Sequence, residues 1–150
     1  MRLNNGFDIS ASALTAQRLR LDVVASNIAN ANTTRGRLVN GEWVPYQRKL
    51  VELQAKNSTS FEDLLSEKMR DKTGHGVRVS RIIDDQSPFK MVYDPLHPDA
   101  NSEGYVKTPN VDIMKEMVDM ISASRSYEAN VTALNASKSM FTKALEIGQR

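Results

Sequence analysis

Apolar residues recur every seven positions at both ends of this chain. Phe7, Leu14, Leu21 and Ile28 form one row, and Ala11, Val24 and Ala31 fill most of the half-way positions. That spacing predicts an N-terminal helix over roughly the first thirty residues, with Gln17 the one polar side chain on the seam. The run closes in Asn27-Ile28-Ala29-Asn30-Ala31-Asn32-Thr33-Thr34, where short polar side chains compete for backbone hydrogen bonds, and Gly36 permits an exit turn. The far end repeats the pattern. Ile113, Met120, Tyr127, Leu134 and Phe141 are spaced by seven, with Met117, Val131 and Leu145 between them. A second helix of about 35 residues, roughly 52 Å long, follows from this. Thr108 or Asn110 is the expected N-cap, and Gly148 the stop.

Between the two helices the period changes. The run from Trp43 to Leu53 ends in alternation, and Val77–Ile83 and Phe89–Tyr93 alternate likewise, so short strands are expected there. A short helical piece is possible around Phe61–Leu65. Asp94-Pro95-Leu96-His97-Pro98-Asp99-Ala100-Asn101 is excluded from regular structure by its two prolines. The predicted architecture is mainly α with a small β insert. Long N- and C-terminal helices pair as a coiled coil, and the middle is a short β-rich domain. The expected divisions are an N-terminal arm at 1–34, a middle domain at 35–107 and a C-terminal arm at 108–150.

Composition narrows the function classes. Cys 0 excludes disulfides, thiol nucleophiles and thiolate metal sites, and His 2 is too few for an imidazole-rich centre. His75 and His97 lack any ligand spacing, and Asp84-Asp85 reads as a turn with solvated charges. Ser122, Ser124 and Ser126 have no nucleophile elbow around them, and no glycine-rich phosphate loop occurs. No enzyme and no cofactor are expected. Twenty basic against eighteen acidic residues leave a net charge of +2, so no nucleic-acid partner is expected. Arg2, Arg18, Arg20, Arg35, Arg37, Arg48 and Lys49 read as a solvated or inter-subunit face. No apolar stretch is long enough for a signal peptide or a membrane span, so direct membrane insertion is not expected. Aromatics at 6% suggest a thin core. Two seams this long cannot both be buried by so small a middle, and that points to packing against other chains.

The segment Ser26–Thr34 and the stretch Glu116–Val131 resemble the terminal motifs of the bacterial flagellar rod and hook axial proteins. Asp94-Pro95-Leu96-His97-Pro98, followed by Gly104–Val111, narrows the resemblance to the proximal rod group. Ala25-Ser26-Asn27 departs from the adjacent asparagines common in the wider family. The resemblance implies a structural component of the flagellar basal-body rod, the axial drive shaft that carries torque from motor to hook. It implies export through the flagellar type III apparatus without a cleaved signal, and location in the basal body. The implied partners are further copies of the chain, other rod proteins and the membrane ring. The expected subunit-interface residues are Leu14, Leu21, Val24, Ile28 and Asn30 on the first helix. On the second they are Met117, Met120, Tyr127, Val131, Leu134 and Phe141. A different reading of the same seams is a coiled-coil adaptor or export chaperone that binds one helical partner.

Overall fold

The computed structural model describes residues 5–56 and 76–148; the helical piece expected at 61–65 and His75 lie outside them. Two long helices frame the chain: α1 is Asn5–Ala29, of 25 residues, and α2 is Ile113–Gly148, of 36 residues. Between them run β1 (Arg37–Val39), β2 (Glu42–Val44), β3 (Lys49–Ala55), β4 (Val77–Asp84), β5 (Lys90–Tyr93) and β6 (Tyr105–Thr108). The strands form three two-stranded sheets, β1-β2, β3-β4 and β5-β6. The first and third are antiparallel, with Leu38 opposite Trp43 and Val92 opposite Val106. Hydrogen bonds from Asp85 N–H to the Arg48 carbonyl and from Lys56 N–H to the Gly76 carbonyl bracket β3 and β4, so these too run antiparallel.

The alternating runs at 49–53, 77–83 and 90–93 are strands as expected. Two elements were not expected. The β1–β2 hairpin turns on Asn40-Gly41, both with positive φ (51° and 86°), the Asn-Gly geometry that closes tight hairpins. β6, for which no strand was expected, pairs with β5 and carries the buried Val106. Gly36 serves a close approach rather than an exit turn: a Cβ there would stand 2.7 Å from the Tyr46 nitrogen.

The helix start is also corrected. Neither Thr108 nor Asn110 caps α2; Asp112 does, its Oδ1 accepting from the N–H groups of Met114 (3.0 Å) and Lys115 (3.4 Å). Asn110 is drawn away to the loops, and Pro109 is fully buried.

Two compact units are distinguishable. One comprises Met1–Leu19, Glu52–Arg81 and Ala123–Arg150, the other Arg20–Val51 and Ile82–Ser122. In the first, Ser12 Oγ donates to the Ile9 carbonyl (2.7 Å) and accepts from Val77 N–H (3.1 Å), joining α1 to the start of β4. In the second, Val23, Val24, Val106 and Val111 are buried. Small side chains dominate the described apolar core, as the low aromatic content suggests.

Candidate assembly surface and its buried polar anchor

The largest fully buried side chains are Glu116, Asn27 and Pro109, so two of the three bulkiest enclosed groups are polar. Asn27 lies near the C-terminal end of α1 and is 1% exposed. Its Nδ2 donates to the Lys49 carbonyl and to Glu116 Oε2, both at 2.9 Å. Its Oδ1 accepts from Lys49 N–H at 2.9 Å and from the Tyr46 hydroxyl at 3.0 Å. All four hydrogen-bonding positions of the carboxamide are filled. The side chain therefore acts as a strand neighbour for Lys49 at the start of β3.

Arg48, one residue before β3, is 9% exposed and Glu116 is 1% exposed. The Arg48 Nε and Nη2 each approach Glu116 Oε1 at 2.6 Å. Around this pair stand Asp85, 3.4 Å from Arg48 Nη1, and Asp119, 3.4 Å from Nη2 and 3.5 Å from Arg20 Nη2. Two guanidinium groups thus face three carboxylates. A charge pair this enclosed holds only because each member keeps its partners. Asn110 closes the cluster from behind, accepting from Arg48 N–H at 2.8 Å and donating to the carbonyls of Asp85 (3.2 Å) and Ser87 (3.1 Å).

The expectation that Arg48 lies on a solvated or inter-subunit face is overturned, because its charge is neutralised inside the chain. So is the reading of Asp84-Asp85 as a solvated pair: Asp84 is exposed, but Asp85 is half-buried within the cluster. Hydrogen bonds from the Ser87 hydroxyl and N–H hold the Asp85 carboxyl below the usual range, with Arg48 adding to the effect. At the exit of α1, Asp99 accepts from Arg35 Nε (2.7 Å) and Thr34 Oγ1 (2.8 Å), and these lower its pKa in that order. His97 is part-buried in the same turn, its Nδ1 accepting from Asp99 N–H at 3.1 Å. No three Asp, Glu or His side chains converge as metal ligands among the described residues.

The structure sorts the expected interface residues into two groups. Val24 is buried within the chain, and Leu14, Leu21, Ile28, Met120, Tyr127, Val131 and Leu134 are half-buried. Asn30 is half-buried too, and its Nδ2 donates to the Ser26 carbonyl at 2.9 Å. Met117 and Phe141 stand exposed. The inward face of α2 carries Glu116, Met120, Ala123, Tyr127, Asn130, Leu134 and Ser137, a strict alternation of four and three. The row of small and polar residues at 116, 123, 130 and 137 thus takes the inward position that apolarity alone assigns to Met117. Its signal was the single carboxylate Glu116 in heptad register with Ala123, Asn130 and Ser137.

Met117 belongs to the other side of the helix. Met114 (72% exposed), Met117 (48%), Val118 (64%) and Ile121 (61%) form a continuous apolar stripe, spaced three, one and three. At about 100° per residue, they lie about 100° to 200° around α2 from Glu116. The polar anchor and the stripe occupy opposite faces. Further exposed apolar side chains occur on the hairpins, among them Leu38, Trp43, Met91 and Tyr93. Such patches on a small chain mark contact surfaces. No described helix is long and apolar enough to cross a membrane.

A family model described as "Flagella basal body rod protein" matches residues 7–36, and one described as "Flagellar basal body rod FlgEFG protein C-terminal" matches residues 102–147. The flagellar basal-body rod protein FlgC of Bacillus subtilis is 60% identical over 147 residues, covering 97% of each chain. The chain belongs to the FlgC family. The FlgC of Escherichia coli O6:H1 is 48% identical over 149 residues, covering 99% of this chain and all of that one. The FlgC of Borreliella burgdorferi is 44% identical over 155 residues, covering 99% of both. The two family-model segments coincide with α1 plus its exit turn and with α2 plus β6, and FlgC relatives align across the middle as well.

Proposed function

We propose that this chain, a structural component of the flagellar basal-body rod, enters the rod through its two terminal helices. The helices pair as a coiled coil through their inner rows, Leu14, Leu21, Val24 and Ile28 facing Met120, Tyr127, Val131 and Leu134. Two ties within one compact unit support antiparallel pairing, Asn27 to Glu116 and Arg20 to Asp119. The outer stripe on α2 then meets neighbouring rod subunits, and the middle domain at 35–107 stays outside the helical core.

The observation that carries this reading is the exposed stripe Met114, Met117, Val118 and Ile121. Leaving a large apolar side chain in water costs about 1.5–3 kcal/mol relative to burial. Covering four such side chains supplies a substantial driving force for assembly. Interdigitated helices deform little, which suits a shaft that passes torque towards the hook. The same reading places further copies, other rod proteins and the membrane ring as neighbours, and the type III export apparatus as the route out of the cytoplasm.

Sedimentation of the purified chain mixed with the other rod proteins tests it. Rapidly sedimenting assemblies are expected, and they should vanish with Ile121→Asp. A discrete dimer that never grows, with or without rod partners, would overturn the assignment in favour of an adaptor.

A further inference from the structure

The polar anchor has a geometry that stability alone does not require. A buried ion pair contributes little net stability compared with apolar packing, and its best-attested use is to select one arrangement among near-equivalent ones. The inward face of α2 offers such near-equivalents. Ala123, Asn130 and Ser137 are all small, and Met120, Tyr127 and Leu134 recur at the same spacing. A shift of one heptad would bring Ala123 to the place of Glu116 and leave Arg48 without its carboxylate. A shift of one turn would bring Asp112 or Met120 there, and Asp112 is the helix cap. One turn before Asn27 on α1 stands Val23, which cannot pair with Lys49, and Asn30, three residues after it, lies past the helix end with its Nδ2 donated to the Ser26 carbonyl. Only one register and one rotation of α2 satisfy Asn27, Arg48 and Glu116 together.

We propose that Asn27, Arg48 and Glu116 are positioning residues that fix the rotation and register of α2 in the Arg20–Val51 and Ile82–Ser122 unit. They thereby decide that Met114, Met117, Val118 and Ile121 face outward for assembly. The inference rests on the proposed role of that stripe. It goes further in naming what aims the stripe. Cutting the tie leaves an α2 that still packs but samples more than one rotation.

The methionines of α2 report this directly, because peroxide oxidises a thioether according to its exposure. Met114 and Met117 are exposed while Met120 is half-buried on the inward side. In the full chain at single-hit peroxide doses, mass spectrometry should find Met120 several-fold slower to oxidise than Met114. In Arg48→Met/Glu116→Leu, an apolar replacement that keeps Asn27 on Lys49, Met120 should approach the rate of Met114 while helix content is retained. If that variant folds and Met120 keeps its full protection, the lock does not exist. Should the double variant lose its helices, Glu116→Gln is the substitute, and unchanged Met120 protection in it is equally fatal. Incorporation into the rod is scored separately by restoration of swimming. Loss of both Met120 protection and swimming supports the whole proposal. Loss of protection with normal swimming leaves the lock standing but removes the stripe as the assembly face.

Discussion

Asn27 hydrogen-bonds Lys49 as an adjacent strand would, its Nδ2 donating to the Lys49 carbonyl and its Oδ1 accepting from the Lys49 N–H, each at 2.9 Å. A helix side chain thus completes the first rung of β3. Asn27→Leu should lower stability by about 2 kcal/mol, since it orphans the Lys49 N–H and carbonyl, which are partly shielded from water. Urea unfolding measures this as a fall in midpoint at constant slope. A loss under about 0.5 kcal/mol, typical of surface positions, would mean that these hydrogen bonds do not matter.

Arg48 and Glu116 should show strong coupling. Glu116→Leu alone leaves the guanidinium without its main partner, and Arg48→Met alone leaves a carboxylate that is 1% exposed. Each single variant should cost about 3–5 kcal/mol, whereas the pair together should be close to neutral. A double-mutant cycle in urea reads the coupling energy. Additive losses would contradict the enclosed geometry.

Acid should destabilise the fold partly through Asp85. Its folded pKa lies below the ordinary 3.8, chiefly because the Ser87 hydroxyl and N–H donate to it. A depressed folded pKa adds stability above about pH 4, and that contribution fades as pH falls through the lowered value. Ser87→Ala should therefore reduce stability at pH 7 and reduce it less at pH 2. Unfolding curves at the two pH values decide the matter; an equal loss at both would refute the linkage.

Asp112 should control the start of α2. Asp112→Ala removes the acceptor for the Met114 and Lys115 N–H groups and should cost about 1 kcal/mol. Hydrogen exchange should accelerate selectively at the amides of residues 113–116. Asn110→Ala should leave those amides alone, because its bonds go to Arg48, Asp85 and Ser87.

Leu134→Asp and Ile121→Asp should separate folding from assembly. Leu134 is half-buried in the chain, so a charge there should lower monomer stability by about 2 kcal/mol or more. Ile121 is 61% exposed, so Ile121→Asp should leave the thermal midpoint nearly unchanged and yet abolish swimming in a complemented strain. Normal swimming with Ile121→Asp would take the stripe out of the assembly.

Much of the fold was legible because it rests on local periodicity. The seven-residue rows placed both helices close to their observed ends, and alternation placed β3, β4 and β5. The β1–β2 hairpin was missed: Asn40-Gly41 favours such a turn, but its strands are too short for alternation to stand out. The inner row of α2 was half legible. Met120, Tyr127 and Leu134 follow the apolar rule, while Glu116, Asn130 and Ser137 break it.

The polar anchor could not be read from the chain. Asn27 and Glu116 are 89 residues apart, and no periodic rule links them to each other or to Arg48. A lone arginine or glutamate in a helical pattern reads as solvated, because burying a charge is costly unless a partner stands opposite. Whether that partner exists depends on how distant segments pack. The sequence by itself determined two amphipathic end helices, a β-rich middle and the family to which they belong. Which side of α2 turns inward was decided only by the tertiary structure, since the helix carries apolar residues on two faces and only the buried carboxylate distinguishes them.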